Sequence, residues 1–297
     1  MCGVMGYYSF GNTMPDKNKI TEMFSLLETR GRDASGIGFI RDNQLVVSKA
    51  PIKSSLFVKT EDWVKLELPK IMILHTRAAT QGSNKNDCNN HPLFSKQGVA
   101  IVHNGIIYND KDIFSKNHKR DGEVDSEAIL HVLSSKYKGD KIKRVFDRLD
   151  GSFAFAAINK DEPEKLFLVK KDNPLDLYYD IENDILYFCS ERRIMQEALR
   201  LKSQSVRGFN LGESNYHFYE MKNNHGLVLN SDGVESYERY HPRKFDYFDT
   251  DYRFSNRDEM LIECPYCLST TTYNIGKLFN RCESCGLNIN EEDLFNL

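Results

Sequence analysis

Residues 1 to about 240 predict a layered α+β sandwich, and a small cysteine-rich unit closes the chain. Apolar residues Ile20, Met23, Phe24 and Leu27 recur at helical spacing, as do Ala128, Ile129, Val132 and Leu133. Around these helices lie short runs rich in Ile, Val, Leu and Phe, punctuated by Gly, Asn or Asp. Helices near the start and middle, with antiparallel-looking strands between them, bury their apolar faces by stacking in layers. The closing unit is marked by two C-x-x-C pairs.

The first helix reads from about residue 17 to Arg30 and stops at Gly31. Strands are expected at residues 36–40, 44–47, 71–75, 99–102, 153–158, 165–169 and 185–189. A second helix is expected over residues 126–137, with Asp125 as its cap. Hairpin-like pieces follow at 216–221 and 226–229, then a segment at 234–240. The aromatic and charged stretch after it has neither helical nor strand period and reads as a linker that lies along a surface by its rings. The expected division is therefore a first domain over residues 2–240, a linker over 241–260 and a small domain over 261–297.

The chain of 297 residues carries 40 basic and 43 acidic side chains, which excludes a strongly cationic nucleic-acid coat or a polyanionic tail. Hydrophobic residues at 40% and charged residues at 28% are ordinary for a globular protein. Apolar runs such as residues 151–158 fall short of the roughly 18 needed for a membrane helix. The first ten residues lack the pattern of a secretory signal, so a cytoplasmic protein with no membrane partner is expected.

Of the seven cysteines, Cys264, Cys267, Cys282 and Cys285 form the two pairs, with residues 268–281 between them. Two such knuckles at that distance can set four thiolates tetrahedrally about one zinc at about 2.3 Å. The alternative is a pair of redox dithiols. Protein would fill every coordination position, so the metal is expected to be structural. The unit resembles a zinc ribbon, with a strand at residues 270–275. Its few basic residues, Lys277 and Arg281 among them, lack the cluster that phosphate contacts require, so a protein-contact role is favoured over direct nucleic-acid binding.

Cys2 follows Met1 directly, and a side chain that small lets an initiator methionine be trimmed, leaving a cysteine with a free α-amine. With reference pKa values of roughly 7.7–8 for the amine and roughly 8.5 for the thiol, the amine can take the thiol proton near neutrality. Arg77 stands just beyond the strand at 71–75, where a loop can offer its planar fork to a carboxylate. Asn104 and Gly105 stand just beyond the strand at 99–102, a pairing suited to an oxyanion hole. Asp125 offers a negative group to an ammonium.

In order along the chain, Met1-Cys-Gly-Val, Arg30-Gly-Arg-Asp-Ala-Ser-Gly-Ile37, His75-Thr-Arg-Ala-Ala-Thr80, Asn90-His-Pro-Leu93, His103-Asn-Gly-Ile-Ile107, Asp125-Ser-Glu-Ala128, Leu149-Asp-Gly-Ser-Phe-Ala154 and Phe188-Cys-Ser-Glu191 make residues 2–238 resemble class II glutamine amidotransferase domains. The resemblance implies a four-layer αββα fold of the N-terminal-nucleophile (Ntn) hydrolase type. It also implies hydrolysis of the glutamine side-chain amide, with ammonia passed to an acceptor. Cys2 would be the nucleophile, Asn104 and the Gly105 N–H would hold the oxyanion, Arg77 would grip the α-carboxylate and Asp125 the α-ammonium. Thr80 matches a position near the carboxylate, and Arg30 and Asp33 match a segment that shapes the site. The family mechanism uses none of His75, His91 and His103, which are read as structural, and Cys88 and Cys189 are read as ordinary thiols.

Three departures stand out: Ala78 where the glucosamine-synthase branch has tryptophan, Gln81 where it has histidine, and a shortened segment at residues 171–179. Only about sixty residues follow the first domain, too few for the acceptor domains of the family. The expectation is therefore an ammonia-accepting synthetase or transferase in trans, with a nucleotide or nucleobase precursor as one candidate acceptor. Two other readings remain: an N-terminal-cysteine amidohydrolase acting on another amide, and a catalytically idle scaffold for a binding ribbon.

Overall fold

The computed structural model describes residues 1–114, 120–201, 205–206, 209–210, 215–243, 259–264, 267, 269–274 and 280–289. The chain divides into two units, Met1–Arg243 and Lys244–Leu297. From the N-terminus run β1 (Gly3–Ser9), α1 (Lys17–Leu26), β2 (Ala34–Arg41), β3 (Gln44–Ala50), the one-turn helices α2 (Ser54–Phe57) and α3 (Glu61–Val64), and β4 (Ile71–Arg77). Next come β5 (Leu93–Phe94), β6 (Val99–Ile107), α4 (Asp110–Ile113), α5 (Glu127–Leu133), α6 (Lys141–Arg148), β7 (Gly151–Asn159), β8 (Glu162–Lys171), β9 (Asp176–Asp180), β10 (Ile185–Cys189) and α7 (Arg192–Ala198). The unit closes with β11 (Ser205–Val206), β12 (Phe209–Asn210), β13 (Tyr216–Glu220), β14 (His225–Asn230) and β15 (Gly233–Arg239).

Two antiparallel sheets carry the unit, one ordered β13-β9-β10-β1-β4-β2-β3 and the other β15-β14-β8-β7-β6-β5. Side chains alternate across each strand, so one strand serves two cores. On β1, Met5 and Tyr7 pack with Ile20, Met23 and Phe24 of α1 and with Met195 of α7, whereas Val4 and Tyr8 join the core between the sheets. On β7, Ala154, Ala156 and Ile158 enter that middle core, and Phe153, Phe155 and Ala157 pack against Ile129 and Val132 of α5 and Val145 of α6. The outcome is the expected order of layers: helix, sheet, sheet, helix.

Several local expectations are corrected. The first helix is α-helical only over Lys17–Leu26 and tightens to a 3-10 turn over Leu27–Arg30. Gly31 is extended at φ −177° and serves another purpose, since a Cβ there would lie 2.4 Å from the Arg77 carbonyl carbon. The second helix is shorter than expected, Glu127–Leu133, and Ser126 rather than Asp125 occupies its cap position. β1, β9, α6 and α7 were not foreseen. In β1 the glycines at 3 and 6 dilute the strand signal, yet packing demands at least one of them. A Cβ on Gly6 would lie 2.2 Å from the Met72 carbonyl oxygen and 2.3 Å from the Phe188 ring. Residues 244–258 of the expected linker lie outside the described residues, and residue 259 opens the next strand.

The second unit pairs β16 (Glu259–Glu263) with β17 (Thr270–Asn274) and β18 (Asn280–Arg281) with β19 (Asn288–Ile289). Among the described residues no helix is long and apolar enough to cross a membrane.

Replacing Gly6 by Ala is expected to destabilise the first unit by about 1–3 kcal/mol, the range for overpacking a filled core. Urea denaturation would show it as a lowered midpoint, and an unchanged midpoint would refute the tight β1–β4–β10 contact.

Candidate active site

The antiparallel register of β1 on β4, with Gly3 opposite Thr76, stands Cys2 beside Arg77. The Cys2 Sγ lies 3.6 Å from the Ala78 carbonyl oxygen. Behind it, Arg30 donates from Nε to the Cys2 carbonyl at 2.9 Å and from Nη1 to Glu191 at 3.2 Å. Burial pushes the Cys2 thiol above its ordinary value; the Ala78 contact, the ammonium end of the chain and the Arg77 guanidinium pull it down, and Asp125 adds to the rise. The charges of Arg77 and Asp125 thus act on the same sulfur.

The Arg-Gly-Arg-Asp turn braces the segment that carries Arg77 and Ala78. Asp33 donates its amide to the Arg77 carbonyl at 2.9 Å and accepts the Ala79 amide at 2.7 Å. Gly31 lets the two backbones approach.

Arg77 is the last residue of β4 rather than a loop residue, and it is 3% exposed. Its guanidinium donates to Asn90 Oδ1 at 2.9 Å, to the Gly82 carbonyl at 2.8 Å and to the Gln81 carbonyl. Three of its five donors are therefore held by the loop that follows, which fixes the fork. Burial lowers its pKa, and Cys2, Asp33 and Glu123 raise it in return.

Asn104 and Gly105 lie inside β6, not beyond its end, because the strand continues to Ile107. Asn104 is 1% exposed, and Gly105 sits at φ 143°, where a Cβ would lie 2.0 Å from the Ser152 carbonyl oxygen. Backbone groups alternate edges along a strand. The His103 carbonyl accepts from His75 Nε2 at 2.9 Å and the Ile107 amide donates to Asp125 at 2.6 Å, so the alternation puts the Gly105 N–H on that same edge, away from β7.

Asp125 is not a helix cap. Its two oxygens accept the amides of Ile107 at 2.6 Å and Ser126 at 2.9 Å, which ties it to the end of β6. Burial raises its pKa, and those two amides lower it. Thr80 is exposed in the loop after β4, and among the described residues no hydrogen bond joins it to Cys2, Arg77 or Asp125. Asn90, which orients Arg77, was quoted only as part of a motif. Asn173, whose Oδ1 lies 3.4 Å from Asn104 Nδ2, falls in the segment read as a departure.

Residues 75–197 match the family model described as the glutamine amidotransferase domain. The glutamine–fructose-6-phosphate aminotransferase of Aquifex aeolicus is 37% identical over 184 residues, 59% of this chain and 30% of that protein. The first unit is a class II glutamine amidotransferase domain. Its Clostridium acetobutylicum relative of the same name is 30% identical over 249 residues, 80% of this chain and 36% of that protein. The chain thus spans about a third of the length of these curated relatives. Among solved structures, glutamine phosphoribosylpyrophosphate amidotransferase of B. subtilis superposes with a TM-score of 0.59 at 19% identity, over 82% of this chain and 50% of that one. A structure described as the allosteric regulatory enzyme of purine biosynthesis does so with a TM-score of 0.61 at 20% identity, with the same coverage. Both bear out the expected layered sandwich fold.

Beneath the amidotransferase site lie three buried imidazoles. The His75 and His91 rings are 4.3 Å apart and the His91 and His103 rings 6.4 Å. His103 Nδ1 meets the Ser126 hydroxyl at 2.7 Å. Burial drives His75 and His103 down to about 3 and His91 well below its ordinary value, so all three are neutral at pH 7. A cavity of about 700 Å³ is lined by Phe10, Leu186, Phe218 and Tyr237, and its lining includes none of Cys2, Arg77, Asn104, Gly105 and Asp125.

In the second unit the four cysteine sulfurs lie within 4.8 Å of one another and can hold a metal ion. The Cys264–Cys285 and Cys267–Cys282 sulfurs are 3.8 and 3.7 Å apart. Four thiolates about 2.3 Å from a central zinc would have tetrahedral edges of about 3.8 Å. The Cys285 amide faces Cys282 Sγ at 3.5 Å, and such backbone donors hold the Cys282 thiol down to about 5.

The histidines set a pH response. They are neutral in the folded state and protonate at about 6.5 when unfolded, so below that pH the unfolded state binds more protons and stability falls. The loss should begin as pH drops below about 6.5 and continue toward 3, with up to three protons taken up per molecule unfolded. Thermal midpoints measured from pH 7 to 4 would show it, and a flat profile between pH 6.5 and 5 would refute buried neutral imidazoles.

Proposed function

We propose that this chain releases ammonia from free glutamine and that a partner protein of nucleotide or nucleobase metabolism uses it. What supports this reading is that the charges of Arg77 and Asp125 both act on the Cys2 thiol, and that the His75–His103 hydrogen bond ties the strand ending in Arg77 to the strand carrying Asn104 and Gly105. A cationic fork and a carboxylate match the two charged groups of a free amino acid and would be wasted on a simple acyl amide, which favours glutamine over other amides. The idle-scaffold reading leaves the burial of these charges unexplained.

Removal of Met1 frees the Cys2 amine, which takes the thiol proton as sulfur attacks the side-chain carbonyl carbon. Negative charge moves to the carbonyl oxygen, where the Asn104 amide and the Gly105 N–H donate; each such donor typically contributes about 3–4 kcal/mol. As the C–N bond breaks, the protonated Cys2 amine gives that proton to the departing nitrogen, giving ammonia and a thioester. The amine then activates a water that cleaves the thioester, giving glutamate and the free thiol. Arg30 and Asp33 act indirectly by holding Cys2 and the Arg77–Ala79 backbone, and Thr80 borders the carboxylate side.

The second unit holds a structural zinc on Cys264, Cys267, Cys282 and Cys285, and its surface is the proposed contact for the acceptor protein. A bound zinc would tie the two knuckles together and supply much of the folding energy of so small a unit; it takes no part in the amide chemistry.

Purified protein whose mass shows loss of Met1 should convert glutamine to glutamate and ammonia. Cys2→Ala should abolish release, and Asp125→Asn should raise KM about 10- to 100-fold, as expected for a charged hydrogen bond of about 1.5–3 kcal/mol. Activity in protein that retains Met1, or in Cys2→Ala, would overturn the mechanism. Elemental analysis should find about one zinc per chain, lost in Cys264→Ser with ammonia release retained; metal-free wild-type protein with unchanged near-ultraviolet dichroism would refute the zinc.

A further inference from the structure

We infer that Asn173 is a positioning residue that sets the direction in which Asn104 presents its amide. An asparagine amide is nearly symmetric in shape, and a half-turn would bring its oxygen where an oxyanion needs a donor. Something must break that symmetry. Asn104 Nδ2 meets Asn173 Oδ1 at 3.4 Å, and Asn173 Nδ2 donates to the Ser152 hydroxyl at 2.7 Å. Asn173 thus turns its donor end to Ser152 and its acceptor end to Asn104. The oxygen of Asn104 is excluded from that side, and a second N–H on the same nitrogen stays available to the substrate.

The surrounding backbone supports the chain of amides. Ser152 stands opposite Ile106 and Phe153 opposite Gly105 in the β6–β7 register. Asp172 bridges to Phe153 and sits at φ 63°, a left-handed conformation that turns the chain as β8 ends. Asn223 holds this turn with reciprocal bonds, accepting the Asp172 amide at 2.6 Å and donating to its carboxylate at 2.5 Å. Glycine at 105 leaves the room, because a Cβ there would lie 2.9 Å from Asn173 Nδ2. The shortened segment at residues 171–179 thus has a use: it delivers an amide to the back of the oxyanion donor.

This inference rests on Asn104 as oxyanion donor, and the test separates the two. In Asn173→Ala, kcat for glutamine hydrolysis should fall at least about tenfold, part of the loss of about 10²–10³ for removing a donor outright, with KM within twofold of wild type. Ser152→Ala should fall in the same direction by a smaller factor. The double variant Asn104→Ala/Asn173→Ala should be no slower than Asn104→Ala alone, since residue 173 acts through residue 104. Melting curves check folding, and if Asn173→Ala does not fold, Ser152→Ala and its double variant with Asn104→Ala carry the test. Unchanged kcat in the position 173 and 152 variants, or losses that multiply in the double variant, would overturn the inference while leaving the oxyanion reading intact. Unchanged kcat in Asn104→Ala would instead overturn the oxyanion reading, and the inference with it.

Discussion

The pairing of β1 with β4 is the constraint on which the site depends. β1 lies in the middle of the seven-stranded sheet, bonded to β10 on one side and β4 on the other, and its seven residues are all buried. A strand held on both edges and both faces cannot slide by one residue without exchanging its two apolar sets. Cys2, one residue ahead of the strand, inherits that rigidity. Arg77 at the end of β4 and the Asn104-Gly105 pair within β6 belong to the same frame, with the His75–His103 contact joining the two strands.

Desolvation gives these few charges their effect. Arg77 is sealed by Asn90 and the carbonyls of Gln81 and Gly82, Asp125 is held by two backbone amides, and the three imidazoles behind them carry no charge. In such surroundings one fixed dipole or charge counts for much more than it would in water. Buried charge also has to be held by hydrogen bonds, which explains why so many polar residues around the site bond to backbone rather than solvent. The second unit obeys a different economy. Among its described residues the buried apolar set is Cys264, Cys282 and Ile289 with Ile262 beside them, and a metal held by the four clustered cysteines would tie the two knuckles together.

The layered class, most of the strands, the apolar faces of α1 and α5 and the four-cysteine cluster were legible in the amino-acid order, because each leaves a local period or spacing. The family motifs were legible for the same reason. Local pattern failed where burial on all sides erases alternation, as in β1, and where glycine is present for close approach rather than for a turn, as at Gly6 and Gly31. It also misjudged Asp125, since a carboxylate ahead of a helix looks the same whether it caps that helix or, as here, reaches back to Ile107.

By itself, then, the sequence determined which residues carry charge, sulfur and amide, and which segments bury a face. Tertiary structure alone decided that Arg77 is encased, that Asn104 and Gly105 lie within a strand, and that Asn173 meets Asn104 from 69 positions away. The physical reason is range: side-chain periodicity reports the environment of a residue, whereas partners distant along the chain are chosen by sheet register and packing, which no short stretch of residues encodes.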